Sequence, residues 1–443
     1  MSAPNVSSDP PGISSRQILT AAMASSFGWA LDLFDLFILL YVAPLIGRLF
    51  FPSTRPMLSL AAVYASFAVT LLMRPVGSAL FGSYADKHGR KGAMIVAVVG
   101  VGVSTALFGA LPTDAQIGAA AAVIFIVLRL VQGIFVGGVV ASTHTIGTES
   151  VPARWRGAMS GMVSGGGSGL GALLASITFY VATTLFPGGS FEVWGWRFMF
   201  FCGIISSFLG VFIFLSLEES PIWIELKLRR TRAKRSDIEE SPLRTLFSRR
   251  WLPVMAVNLL LTIGSGAGYY LTMGFLPTFL KVVVKAPDTS ASLILIAASV
   301  IAIVACVAVG HLSTLIGRRR TFRIFGVLRV ILLPSLVLVM AGTNNVAIVA
   351  TAALLLCLIG NASYAHLVIF LNERFPTALR ATGTGLSWNL GFAIGGIMPT
   401  LVSLAAGVPQ NLPIALAIFL FGVSLLYLIG AIVTPETRNQ FTI

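Results

Sequence analysis

Gly82-Ser-Tyr-Ala-Asp86-Lys-His-Gly89-Arg90-Lys91 and Gly310-His-Leu-Ser-Thr314-Leu-Ile-Gly317-Arg318-Arg319 each follow a long apolar segment, and they stand 228 residues apart. A second pair repeats the relation: Glu149-Ser-Val-Pro152-Ala-Arg-Trp-Arg156-Gly157 and Glu373-Arg-Phe-Pro376-Thr-Ala-Leu-Arg380, offset by 224. Two motifs recurring at nearly one offset in a 443-residue chain imply a duplicated unit. The residues between them decide what kind of unit it is. The chain is 56% hydrophobic and only 10% charged, whereas soluble proteins carry about 25% charged residues. So few ionised side chains cannot cover a water-facing surface, which excludes most soluble folds. A mean hydropathy of +0.91 and long apolar runs predict a polytopic, all-α membrane protein. The 44 glycines agree, because glycine is commoner in membrane helices than in soluble ones.

Twelve spans are expected, at 20–47, 58–82, 92–111, 117–145, 157–185, 195–217, 251–279, 290–315, 322–341, 345–371, 381–406 and 411–434. The largest interruption, 218–250, holds nine Lys/Arg and short amphipathic pieces such as 222–228. The predicted organisation is therefore a tail (1–19), a six-helix bundle (20–217), a central loop (218–250), a second bundle (251–434) and a short tail (435–443). The first twenty residues are polar, with Arg16 as their one basic residue, and do not read as a cleaved signal peptide.

The net charge of +14 raises the question of nucleic acid, but its distribution answers it. With the N-terminus in the cytoplasm, that side holds Arg16, Lys87, Arg90, Lys91, Arg154, Arg156, the central-loop nine, Arg318, Arg319, Arg320, Arg323, Arg374, Arg380 and Arg438. The other side holds only Arg48, Arg55, Arg197, Lys281 and Lys285. This is the positive-inside bias of an integral plasma-membrane protein (the inner membrane of a bacterium) with both termini cytoplasmic. Lipid headgroups are the expected partner of the basic loops, and no nucleic acid is needed. Cys202, Cys306 and Cys357 lie in apolar stretches without metal or disulfide spacing and read as small buried hydrophobes; no metal or cofactor is expected.

The loop motif at 82–91 resembles the signature of the major facilitator superfamily, and the resemblance extends over essentially the whole chain. Arg74-Pro75 running into Phe81-Gly82, Arg129-Leu-Val-Gln132-Gly133, Trp194-Gly-Trp-Arg197, Tyr269-Tyr270…Leu276-Pro277 and Phe375-Pro376…Arg380-Ala-Thr-Gly383…Trp388-Asn389 are similar to the metabolite:proton and sialate/monocarboxylate:proton symporters. The resemblance implies two six-helix pseudo-repeats and a monomeric transporter, not an enzyme. It also implies a cytoplasmic gate made by Gly82, Asp86, Arg90, Glu149, Arg156, Arg318, Glu373 and Arg380. Two departures stand out. Thr314 replaces the acid of the second loop motif, so that copy cannot form the same ion pair. The fifth-span run Ser164-Gly-Gly-Gly-Ser-Gly-Leu-Gly171 lacks the Gly-Pro of drug antiporters; its glycines at 161, 165 and 169 form a small-residue face for close helix packing.

Within the spans, Asp32 and Asp35 are the deep acids, and Arg74 and Arg129 the clearest deep bases; Arg329, two turns in, is expected to snorkel. A charge at a helix centre costs about 2.5–3.5 kcal/mol on insertion scales, so these groups need partners. Asp32 and Asp35 are three residues apart and are expected on one helix face. Asp35 paired with Arg129 reads as a proton-coupling site, with Asp32 binding substrate or tuning Asp35; the alternative is a fixed structural pair. Arg74, suited to a carboxylate, is expected to bind substrate, together with Tyr269, Tyr270, Asn361, Trp388 and Asn389, while Asn258, Tyr364 and His366 are weaker candidates. His144 and His366 read as structural rather than as relays. The predicted function is proton-coupled uptake of a small organic acid. The rival readings are a polyspecific proton antiporter, a sugar-like symporter, a sensor without flux, and a membrane enzyme built on His144 and Glu149.

Overall fold

The computed structural model describes residues 15–215 except 89 and 150, and residues 246–440 except 247 and 439; side chains at 15–21, 82–91 and 139–150 are among those outside the description. Among the described residues ten helices are long and apolar enough to cross a membrane, a bent pair supplies an eleventh, and a shorter apolar helix, Ile95–Ala110, a twelfth. In chain order they are α1 (Ser15–Tyr41, continued by Ala43–Phe50), α2 (Pro56–His88), α3 (Arg90–Ala110), α4 (Ala120–Glu149), α5 (Ala153–Leu185) and α6 (Phe191–Phe212). They continue with α7 (Leu252–Gly274, then Leu276–Val282), α8 (Asp288–Ile316), α9 (Arg318–Ala341), α10 (Val346–Arg374), α11 (Thr377–Gly395, then Met398–Ala406) and α12 (Leu412–Val433). The expected helical piece at 222–228 lies outside the described residues.

Several helices are broken, and each break has a sequence cause. Alpha-helix α1 turns by 65° between Tyr41 and Ala43, where Pro44 follows at the start of the next segment. In α5 a π-turn at Met162–Gly166 falls in the glycine run, and in α7 another covers Tyr270–Gly274 before Pro277. Helix α10 opens at Ser363–His366, between Ala362 and Leu367.

Close packing follows the small residues. The 161/165/169 face of α5 meets α8: an added Cβ at Gly161 or Gly165 would strike Cys306, and one at Gly169 would strike Ile303. At the end of this seam Gly157 and Gly310 press against each other so tightly that neither position has room for a side chain. This seam joins the first six helices to the last six near the basic loops. At the opposite end the Tyr64 hydroxyl meets Thr278 Oγ1 at 2.8 Å and its ring stacks on Phe275, joining α2 to α7. The two halves therefore touch at both ends, and the polar residues between them are shut away from solvent. On the outside, large apolar side chains such as Phe208, Phe212, Val123 and Ile418 are exposed, as a lipid-facing belt requires.

The Trp194-Gly-Trp-Arg197 motif has a structural use at that opposite end. Arg197 Nη1 donates to the carbonyls of Gly109 and Leu111 at 2.7 and 2.9 Å, closing the unpaired end of α3, while Trp196 packs on Phe50.

Candidate functional site

Asp32 of α1 and Arg74 of α2 form a buried ion pair, Nη2 to Oδ2 3.2 Å and to Oδ1 3.5 Å. Arg74 reaches this depth because α2 lies against α4 at a glycine: at Gly137 an added Cβ would collide with the Arg74 carbonyl. The pair is incompletely satisfied. Asp32 Oδ2 has no hydrogen-bond partner of good geometry, and Arg74 Nε has none. The Arg74 guanidinium sits 5.8 Å from the ring centre of Trp29, and the Tyr270 ring of α7 lies within electrostatic range of both charges.

Around the pair is an aromatic cluster drawn from both halves. Trp29 meets the edge of Trp388 at 5.9 Å, and Trp388 stacks on Phe392 at 4.2 Å with 13° between planes. Tyr269 and Tyr270 contact each other and Phe392, and Tyr269 also meets Phe37 and Tyr364. Asn389 Oδ1 is buried without a hydrogen-bond partner, and the Tyr269 hydroxyl has none of good geometry, with Ser168 near it. Unpaired buried polar atoms each cost about 1–3 kcal/mol, so several at one place mark a site that gains from a polar ligand.

Asp35 lies elsewhere. Its Oδ1 would stand 3.2 Å from a Cβ at Gly203, on α6, where the Thr105 side chain of α3 also meets that position. The roughly 60° between the two acids around α1 is enough to aim them at different neighbours, so the expected shared face divides into two. Arg129 of α4 is fully buried and lies within electrostatic range of Asp35. Its Nη1 donates to Gln132 Oε1 at 2.7 Å, and Gln132 Nε2 donates to Thr105 Oγ1 at 2.7 Å. The rings of Phe108 and Phe125 lie 4.3 and 5.3 Å from its guanidinium carbon, the cation–π contacts of a desolvated arginine. Asp35 and Arg129 are thus within reach of each other's field, and Asp32–Arg74 is a contact ion pair that was not expected.

Asn361 spends its amide locally: Nδ2 donates to the Cys357 carbonyl at 2.8 Å and Oδ1 accepts from Tyr364 at 3.0 Å. It orients Tyr364, whose hydroxyl also meets Ser168 of α5 at 2.7 Å. Asn258 lies apart, against Ser387. Arg329 does not snorkel. It is fully buried and donates to the Gly264 carbonyl at 2.6 Å and Ser363 Oγ at 3.1 Å, with the Tyr427 ring 4.4 Å away; Gly268 leaves the space it occupies. His366 is fully buried against Phe322, with neither ring nitrogen hydrogen-bonded, at the break of α10.

Of the gate candidates, Arg156, Arg318, Glu373 and Arg380 are described, and two of them are in contact. Arg318 holds Glu373 with two hydrogen bonds, 3.1 and 3.3 Å, and its Nη1 donates to Ser313 and to Thr314. Thr314 thus supplies a neutral acceptor where an acid was expected, and the charge partner comes from α10 instead. Thr437 donates to Glu373 at 2.7 Å, and Glu436 accepts from the backbone N–H groups of Arg318 and Arg319, capping α9. Arg156 and Arg380 are buried, the latter donating to the Asn372 carbonyl at 3.1 Å. The side chains of Gly82, Asp86, Arg90, Glu149 and His144 lie outside the described residues.

Trp29 and Phe392 were missed by sequence reasoning. Trp29 stands one turn before Asp32, and Phe392 one turn after Trp388, so the i, i+3 and i, i+4 spacings on the two candidate helices carried the signal.

A two-ended helical bundle of this kind, closed at both faces over buried charges, defines a membrane carrier. The chain belongs to the Major Facilitator Superfamily, whose family model matches residues 17–399. It is a secondary transporter and an integral membrane protein, not an enzyme. It is 27% identical to the proline/betaine transporter of Salmonella typhimurium over 97% of this chain and 85% of that one. It is 28% identical to the ectoine/proline transporter of Corynebacterium glutamicum, covering 96% and 88% of the two chains. A partially occluded inward-open structure of the E. coli xylose transporter shares the fold, with a TM-score of 0.72 at 17% identity over 96% and 99% of the two chains.

Proposed function

We propose that the chain imports a small zwitterion, of the betaine and proline class, together with protons across a bacterial inner membrane, with both termini cytoplasmic. The observation that carries this reading is the contact ion pair Asp32–Arg74, buried beneath aromatic rings of both halves. A zwitterion can insert head-to-tail, its carboxylate taking Arg74 and its ammonium taking Asp32, and leave the net charge of the site unchanged. A simple organic anion would add a buried charge, at a cost of several kcal/mol unless a proton accompanied it. The expected organic acid thereby becomes a carboxylate that brings its own cation, which agrees with what the relatives' names describe.

Asp35 is the proton carrier in this reading. It stands behind the substrate pair, in the field of Arg129, so the proton and the solute have separate seats on one helix. Protonation from the outer side releases Asp35 from Arg129 and favours rocking of the two six-helix units about the α5–α8 seam, while the Arg318–Glu373 pair stabilises one closed end. Proteoliposomes test this. An inward-directed proton gradient is expected to drive accumulation of betaine or proline, whereas xylose or a monocarboxylate without an amine is not expected to accumulate. Accumulation of the amine-free acid alone would restore the organic-acid reading.

A further inference from the structure

Trp29 is the residue of the aromatic cluster that already faces a cation. The Arg74 guanidinium stands 5.8 Å from its ring centre while it pairs with Asp32, so one charged group is shared between a carboxylate and an indole. Trp29 is held in place from the far side: its Nε1 donates to the Ser164 carbonyl of α5 at 3.2 Å, and its ring meets the edge of Trp388. Trp388 in turn is stacked on Phe392. The indole is therefore backed on α5 and α11 and is not filler that can turn away.

From this geometry we infer that the substrate's cationic end replaces the Arg74 guanidinium against Trp29 and Asp32, making Trp29 the residue that selects N-methylated ammonium groups. The inference rests on the zwitterion reading given above. When the substrate carboxylate draws Arg74 toward itself, the seat between indole and carboxylate passes to the substrate's ammonium. An amine bearing N–H groups can satisfy itself on Asp32 Oδ2, which is short of a hydrogen-bond partner, and depends little on the ring. A quaternary ammonium has no N–H to donate. Its attraction is to the carboxylate field and to the aromatic face, and the desolvated face is its specific contact.

The test is uptake and counterflow in proteoliposomes, with radiolabelled glycine betaine and radiolabelled proline measured side by side for the wild type, Trp29→Phe and Trp29→Leu. Trp29→Phe keeps a ring and loses the bond to Ser164; Trp29→Leu loses both. The expected result is that Trp29→Leu raises the KM for betaine about tenfold and that for proline much less, with Trp29→Phe close to wild type in the ratio of the two. Equal losses for the two solutes in Trp29→Leu, or an unchanged ratio, would overturn the assignment of Trp29 while leaving the zwitterion reading intact. A wild-type protein that carries neither solute would overturn both. If Trp29→Leu does not fold, Trp29→Phe and Trp29→His, which retain rings of decreasing π strength, must still show a graded betaine-to-proline ratio; a flat series refutes the inference.

Discussion

Replacing Asp32 by Asn leaves the Arg74 guanidinium buried at 2% exposure with its acid partner gone. Breaking a buried pair by removing one member costs about 3–5 kcal/mol, since the remaining charge is uncompensated. Arg74→Met leaves Asp32 without its cation, at a smaller cost because a carboxylate, unlike a guanidinium, can take up a proton. The double variant Asp32→Asn/Arg74→Met removes both charges and is expected to be more stable than either single variant, with a coupling of about 2–4 kcal/mol. Thermal unfolding of the four purified proteins in one detergent closes the cycle. The functional reading adds a second readout: betaine or proline should protect the wild type against unfolding and none of the three variants, because a ligand stabilises only the form that binds it. A double variant destabilised by the sum of the two singles would refute the idea that these residues form one unit. Protection of the double variant by ligand would refute their role as the substrate's seat.

Other outcomes follow from the contacts described. Gly310→Leu should prevent α5 and α8 from closing at the basic end, making cysteines introduced along the 157/310 seam reactive to a membrane-impermeant thiol reagent from that side. Ser160 and Ser164 both donate to the Ala365 carbonyl, and Ser160 also accepts from the Ile369 N–H, so they satisfy the break in α10. The double substitution to Ala should cost about 1–3 kcal/mol in thermal stability and increase hydrogen exchange at 363–369. Glu373→Gln should weaken the hold on Arg318 and raise accessibility of the basic end, with transport rate changed more than KM. Gly268→Val should displace Arg329 from the Gly264 carbonyl and destabilise the second half, as differential scanning fluorimetry would report.

The repeat of 82–91 at 310–319, together with the hydropathy, was enough for the twelve helices and the family, because a helix that must satisfy its own backbone in lipid leaves a long and unmistakable apolar run. The burial of Asp32, Asp35, Arg74 and Arg129 was also legible, since charges inside such runs have nowhere else to go. The pairing of Asp32 with Arg74 was not. Spacing along α1 gives the angle between Asp32 and Asp35 but not which neighbour each angle meets; that depends on α2 approaching α4 at Gly137 and on α6 approaching at Gly203. Arg329 misled for a related reason. Its distance from the helix end suggested snorkelling, but the cost of burial is met by a carbonyl on α7 and a hydroxyl at the α10 break, which sequence separations of 65 and 34 residues conceal. The place of Trp29 beside Arg74 was hidden because ring orientation is a tertiary property.

In the proposed mechanism, proton and solute occupy separate seats on α1. Counterflow and gradient-driven accumulation measured in the same Asp35→Asn proteoliposomes test it most directly. Exchange of labelled for unlabelled solute is expected to continue while accumulation driven by a proton gradient is lost. Accumulation equal to wild type, or loss of exchange in a folded protein, would contradict it.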